Sequence, residues 1–280
     1  LKHLETNGIG TVTLQRLKEL AEPDRGPRPG DVPAVVLDVE TTGLQHETGD
    51  VIQIALRPFF VNPETGEVSG LKPAIQFLGE PTEPLPEVIK DITGFTDDDL
   101  KGHQIPWEKI SAILGRCKFI VAHNAGFDRK WVDHALRQRG LQSPQDTIWC
   151  CSMTQLDWTP ICRPSRALEV LSAWHGFYYD SHNALADVDA TLHLLRQKDY
   201  MRTMLTAATT PDYRVFAAGS LREENYLLKD RRYRWNPELV CWWKSVTDKA
   251  AADEESQWLT KHLSQVEPQC YEVDPKQRFA

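Results

Sequence analysis

Asp38-Val39-Glu40-Thr41-Thr42-Gly43-Leu44 is the stretch on which the reading of this chain turns. Its two carboxylates stand two residues apart at the end of an apolar run, Ala34 to Leu37, which reads as a buried strand. Side chains two apart on a strand point to one face, so Asp38 and Glu40 project side by side from the strand end. Adjacent carboxylates in a low-dielectric site repel each other unless a cation joins them. Clustered oxygen ligands suit Mg²⁺ or Mn²⁺ and not zinc. Thr41-Thr42-Gly43 then turns the chain, and Gly43 lets backbone approach a ligand closely. Taken alone, Asp-x-Glu reads equally well as a solvated turn after a strand.

Around this stretch lie 280 residues, enough for one large domain or two modest ones. No apolar run approaches the ~18 residues of a membrane helix, and no membrane role is expected. The chain opens without a signal-peptide pattern and without an initiator Met, so a trimmed start is expected. Cys117, Cys150, Cys151, Cys162, Cys241 and Cys270 form no Cys-x-x-Cys pair, which argues against a zinc knuckle. Scattered thiols fit a reducing cytoplasm. A net charge of −8 argues against bulk electrostatic binding of nucleic acid. It leaves room for a local site where metal ions screen phosphates.

Taken in order, the chain begins with Leu14, Leu17 and Leu20, whose spacing predicts a short amphipathic helix over Thr13 to Ala21. Pro23, Pro27, Pro29 and Pro33, with Gly26 and Gly30, mark a linker. Val51 to Val61 reads as a second strand. A third is expected within Glu67 to Leu78 after the turn Asn62-Pro63-Glu64-Thr65-Gly66, which completes an antiparallel meander. Asp97 to Asp99 looks like a helix start, and Trp107 to Arg116 like a helix. Phe119 to Ala122 reads as a short buried strand, followed by a helix over Phe127 to Arg139. Two more helices are expected over Leu168 to Gly176 and Ala184 to Arg196. Strands first and helices interleaved later indicate an α/β layered domain with a mixed sheet.

Two further motifs stand at strand-to-helix steps. His123-Asn124-Ala125-Gly126-Phe127-Asp128 places Asp128 in a first helical turn, where the helix dipole favours an anion. His182-Asn183-Ala184-Leu185-Ala186-Asp187 places Asp187 in another. That second helix buries Leu185, Val188, Leu192 and Leu195, and Asp187 falls off this stripe. Each acid alone reads as well as a cap or a solvated first-turn residue.

The three motifs in this order closely resemble the DnaQ-like, or DEDDh, superfamily of 3′–5′ exonucleases. The resemblance covers roughly residues 33–200 and takes in Ile92-Thr93-Gly94-Phe95 and the Asp146-Thr147 step. It implies a ribonuclease H-like mixed sheet flanked by helices. It implies two divalent metals, Mg²⁺ or Mn²⁺, in one active site, held by Asp38, Glu40, Asp128 and Asp187, with His182 as general base. The sister class places a Tyr four residues before the last Asp; that position here is Asn183, so the His variant applies. Further implied are a terminal nucleotide lined by Thr41 and Thr42 with Gly43 in the same loop, Leu44 packed on its base, and His123 and Asn124 bordering the cleft. Plain turn chemistry remains the other reading of Thr41 and Thr42. Two metals roughly 4 Å apart clamp the attacking and leaving oxygens of an in-line displacement, and an imidazole takes a proton from water near neutral pH.

Beyond Thr209-Thr210-Pro211 a new pattern starts, and a small α+β domain is expected. Tyr213 to Ala217, Val240 to Val246 and Gln269 to Val273 read as strands, and Leu221 to Asp230 and Ala251 to His262 as helices. Within it, Arg231, Arg232, Arg234 and Trp235, with Trp242 and Trp243, interleave basic and aromatic residues as strand-binding surfaces do. The same residues also suit the core and ion pairs of a small domain. This stretch resembles, more loosely, the domain that follows the nuclease in exodeoxyribonuclease X-like proteins, which favours DNA over RNA as partner. The expected organisation is an N-terminal helix and linker over 1–32, an exonuclease domain over 33–208 and a small domain over 209–280. An RNA 3′-end trimming enzyme of the same fold and a non-catalytic nucleic-acid-binding subunit are the alternatives. A protein complex or homodimer stays open.

Overall fold

The computed structural model describes residues 12–20, 26–162 and 165–280. The first elements are strands: β1 (Gln15–Arg16), β2 (Val32–Thr41), β3 (Val51–Val61), β4 (Val68–Ser69) and β5 (Ile75–Leu78). β2 and β3 are rich in Val, Ile and Leu and are buried along most of their length, as strands covered on both faces require. β3 pairs antiparallel with β2, β4 and β5, so the expected third strand is two short ones on the same neighbour. The helices α1 (Glu87–Thr93), α2 (Asp97–Leu100) and α3 (Trp107–Leu114) follow. α1 ends at Gly94 in the left-handed region, φ 74°, where a side chain would be strained. α2 starts with a capping box between Thr96 and Asp99.

β6 (Phe119–Ala122), α4 (Ala125–Gln138) and β7 (Ile148–Cys151) complete the main sheet. β6 runs parallel to β2, and β7 parallel to β6. The strand order is β4-β3-β2-β6-β7 with β5 also on β3, which places β2 in the middle. α5 (Leu168–Trp174), β8 (Phe177–Tyr178), α6 (Ala184–Leu195) and α7 (Tyr200–Thr209) follow. One face of the sheet packs Ala34, Val36 and Ala55 against Val188 and Leu192 of α6. The other packs Val35, Leu37 and Ile54 against Ile110 of α3 and Val132 of α4. Two apolar layers on a mixed sheet make the α/β, ribonuclease H-like architecture that the motif order implies.

The helix expected over Thr13 to Ala21 does not form. Residues 12–20 carry only bridge and strand pairing, and Ala21 lies outside the described residues, as does part of the expected linker, 21–25. β1 pairs parallel with β8. The Gln15 and Leu17 amides donate to the carbonyls of Gly176 and Tyr178, and the Leu20 amide donates to the Asp189 carboxylate. Leu17 and Leu20 still reach the core, packed beside the α6 layer. Extended chain with cross-strand partners satisfies the same leucines and the same backbone.

The chain divides into two compact units, one running to Ala208 and including Phe279–Ala280, the other Thr209–Arg278. The second unit holds β9 (Asp212–Ala218), a 3₁₀ turn over Arg222–Glu224, α8 (Asn225–Asp230), β10 (Arg234–Asn236), β11 (Cys241–Val246), α9 (Lys249–His262) and β12 (Glu267–Val273). Its strands form an antiparallel sheet in the order β10-β11-β9-β12. Val215, Ala217 and Trp242 point to one face, where Ala252 and Leu259 of α9 close a small core.

Candidate active site

β2 delivers Asp38 and Glu40 to one face at its C-terminal end, opposite Ala55 and Gln53 of β3. The register shifts between Glu40 and Thr41, an irregularity that re-aims the strand end. α6 lies over this face, and Asp187 stands in its first turn. Carboxylate oxygens of Asp38, Glu40 and Asp187 lie within 4.8 Å of one another. Asp128 enters from the first turn of α4. Its carboxylate takes a hydrogen bond from the Val39 amide and is repelled by Glu40 and Asp187. One strand end and one helix start thus bring three of the sequence-predicted acids within 4.8 Å, and the fourth, Asp128, joins them through electrostatic repulsion.

The electrostatics follow from that convergence. Burial, then Asp187, Asp128 and Glu40, hold the Asp38 carboxyl well above the usual carboxylate range. Burial, reinforced by Asp187, raises Glu40 to about 7. Burial lifts Asp128 to about 8 against two backbone hydrogen bonds. Burial lifts Asp187 to about 6, opposed by the Tyr179 hydroxyl, the His182 ring and the Asn183 amide. Buried oxygen donors that repel one another this strongly fit a hard divalent cation, which relieves the repulsion without a protein base.

Asp187 is fixed by two hydrogen bonds. The Tyr179 hydroxyl donates to its Oδ1 at 2.8 Å and the Asn183 amide to its Oδ2 at 3.0 Å. Asn183 also caps α6 by accepting from the Leu185 amide, and Gln53 Oε1 accepts from the Ala184 amide at 3.0 Å. Two residues on, Asp189 forms a buried two-point ion pair with Arg57 of β3, Nε to Oδ1 at 2.6 Å and Nη2 to Oδ2 at 2.7 Å. This pair clamps α6 to the sheet at the level of the acids. Tyr179, Gln53, Arg57 and Asp189 were not singled out by the motifs. Arg57 carries a signal nonetheless, as a lone charge within the apolar run Val51 to Val61.

His182 sits five residues before Asp187 in the loop entering α6, exposed and with φ 63°, a left-handed backbone that is uncommon outside glycine. Thr41 and Thr42 use their hydroxyls within their own loop. Thr41 Oγ1 donates to the Gly43 carbonyl at 2.7 Å, and Thr42 Oγ1 accepts from the Asp50 amide at 2.9 Å. Leu44 is 86% exposed. A Cβ at Gly43 would meet nothing within 4 Å, so the loop there is open. The tight glycine is Gly49, where a Cβ would fall 2.7 Å from the Trp131 ring and 2.8 Å from Thr42 Oγ1. His123 is pinned between Ser152 Oγ and the Arg166 carbonyl, both at 2.7 Å, and burial keeps its ring below the usual histidine range. Asn124 is exposed at the start of α4 and makes no side-chain cap. A concavity of about 410 Å³ lies in the same unit, lined in part by Gly49, Asp50, Trp131 and His134; none of the four acids lines it.

A ribonuclease H-like sheet with acids at the end of its central strand and in two helix starts defines a class of nucleases. The family model described as an exonuclease, RNase_T, matches residues 35–195, and the chain belongs to that exonuclease family. Among curated proteins it is similar to the PolC-type DNA polymerase III of Halalkalibacterium halodurans, 29% identical over 164 residues, which cover 58% of this chain and 11% of that protein. The Listeria monocytogenes PolC-type enzyme is 28% identical over 170 residues, again 11% of its length. The chain therefore spans only about a tenth of these relatives. Among solved structures, the zinc-bound E. coli ExoI–ssDNA complex shares the fold, with a TM-score of 0.55 and 17% identity over 88% of this chain and 64% of that one.

Proposed function

We propose that this chain is a divalent-metal-dependent 3′–5′ exonuclease that removes nucleotides from DNA ends. The observation that carries the reading is the meeting of Asp38, Glu40 and Asp187 within 4.8 Å, with Asp128 electrostatically joined to them. Asp38, Glu40, Asp128 and Asp187 are the residues that would hold two Mg²⁺ or Mn²⁺ ions. When bound, the ions supply charge neutralisation on the scissile phosphate. Tyr179 and the Asn183 amide keep Asp187 ionised and oriented. His182, exposed in its loop position and electrostatically coupled to Asp187, accepts the proton of the attacking water. The water oxygen bonds to phosphorus as the bond from phosphorus to the penultimate O3′ breaks. That O3′ gains a proton from solvent, and a nucleoside 5′-monophosphate leaves. Thr41, Thr42, Gly43 and Leu44 form the loop offered to the terminal nucleotide, with His123 and Asn124 at its border.

The choice of DNA draws on relatives named for a DNA polymerase. We read 33–208 as the catalytic domain and 209–280 as an accessory nucleic-acid-binding domain. A reducing cytoplasm suits six scattered cysteines, and no described helix is long and apolar enough to cross a membrane. The test is digestion of matched single-stranded DNA, duplex DNA and RNA, labelled at the 5′ end, with Mg²⁺, Mn²⁺ or EDTA. Stepwise shortening of DNA that EDTA stops is expected. Asp38→Ala should abolish it, and His182→Ala should slow it roughly 10²- to 10⁴-fold. Preference for RNA would move the substrate assignment, and near-wild-type turnover by Asp38→Ala would remove the metal assignment.

A further inference from the structure

The basic-aromatic string of the second unit does not act as one surface. Trp242 is buried beneath α9, and the Glu255 carboxylate binds Arg231 Nε at 2.8 Å, the Lys244 ammonium and the Tyr233 hydroxyl. Those groups close the core from inside. The opposite face of the same sheet is different. Strand register aligns Arg234 with Trp243, Trp243 with Phe216, and Phe216 with Gln269, in a row across all four strands. A second row on this face sets Arg214 beside Tyr271. Alternation puts these side chains away from Val215, Ala217 and Trp242. The Arg214 guanidinium lies 5.3 Å from the Trp243 ring centroid, and the Phe216 and Tyr271 rings meet edge-on at 5.9 Å. Tyr271 is 55% exposed, Arg234 is exposed, and Trp243 and Phe216 are half-buried.

We infer that this face is a stacking platform for single-stranded DNA, an inference that rests on the exonuclease reading for its choice of polymer. Three aromatic rings on one face of a four-stranded sheet match the way such sheets stack two or three bases, and the Arg278 carbonyl holds the Arg214 guanidinium beside them at 2.8 Å. The interleaved Arg234 and Arg214 supply positive charge for the phosphates, in a chain that is otherwise acidic. Base faces meet the rings and backbone phosphates meet the guanidinium at the β10 edge. Such contacts tolerate any sequence, as an enzyme that degrades ends one nucleotide at a time requires.

The experiment measures binding separately from cleavage. The full chain is titrated in EDTA against a 5′-fluorescein oligo-dT of about 12 nucleotides and an RNA of matched length, at two salt concentrations. Tyr271→Ala and Trp243→Ala should each weaken DNA binding about tenfold. Arg234→Ala should weaken it and flatten the logarithmic salt slope by about 0.7. Trp235→Ala, an exposed aromatic in register with the buried Trp242, is the control and should leave affinity unchanged. Tyr271 and Arg234 lie outside any core, so their variants remain informative if Trp243→Ala unfolds. Unchanged affinity in a folded Tyr271→Ala, Arg234→Ala double variant would overturn the platform, as would an equal loss in Trp235→Ala. Tighter binding of the RNA would overturn the choice of DNA. Failure of the exonuclease reading shows elsewhere, as no cleavage of any oligonucleotide when Mg²⁺ is restored.

Discussion

The four acids explain one another. Each is easier to protonate in the folded chain than in the unfolded one, because burial and neighbouring carboxylates raise its pKa. A raised folded-state pKa gives stability that is fully present below the unfolded value, ~4, and is lost as pH rises through the folded value. The loss therefore runs through about 6 for Asp187, about 7 for Glu40 and about 8 for Asp128. Without metal, the melting temperature should fall steadily between pH 5 and pH 8.5, and Mg²⁺ or Mn²⁺ should cancel most of the fall. Asp38→Asn removes one repelling charge and should raise the metal-free melting temperature at pH 8, by on the order of 1–3 kcal/mol in stability. Melting curves across pH, with EDTA and with metal, check both. A metal-free protein whose stability rises over that range would contradict this account.

At the scale of elements, α6 is held by more than its apolar stripe. Asp189→Ala leaves Arg57 charged and buried, which costs about 3–5 kcal/mol. Replacing both, with Arg57→Met and Asp189→Leu, should recover most of that loss, because the pair's attraction mainly offsets its own desolvation. Urea denaturation of the single and double variants measures the difference. Neither member of this pair was legible as such, since its two ends lie far apart in sequence. β3 was legible over Val51–Val61 because β-branched and aromatic residues dominate it. β7 was passed over although Ile148-Trp149-Cys150-Cys151 is buried at every position, as β6 is. α1 was missed because it has no buried residue to set a period. The leucine spacing at the N-terminus misled, because backbone partners on β8 outweighed a weak helical pattern. The acids themselves were legible only as a set, through the order of three motifs that resembles a known exonuclease superfamily; strand period and helix-start chemistry left each one open on its own.

At the scale of the molecule, all four acids and His182 belong to the first unit, and the open aromatic face belongs to the second. A chain ending at Ala208 should still shorten brief oligonucleotides at saturating concentration. Its affinity for longer DNA should fall, and the dependence of that affinity on salt should flatten. Titrations of both chains at two salt concentrations decide this; equal affinities and equal slopes would leave the second unit a brace.

The Arg57–Asp189 pair, 132 residues apart in the chain, also bears on how the protein is made. During synthesis, Arg57 leaves the ribosome on the order of 10 s before its partner does. For that interval β2 and β3 have their hairpin contact but neither α6 nor the last acid, and of its described partners the Arg57 guanidinium can meet only the exposed Glu19 carboxylate and the Lys72 carbonyl. The nascent meander cannot bury that strand to completion, so closure of the layer and assembly of the acidic cluster fall to the same late event. A growing chain thus lacks the Asp187 carboxylate beside Asp38 and Glu40 until the helix that bears it has docked.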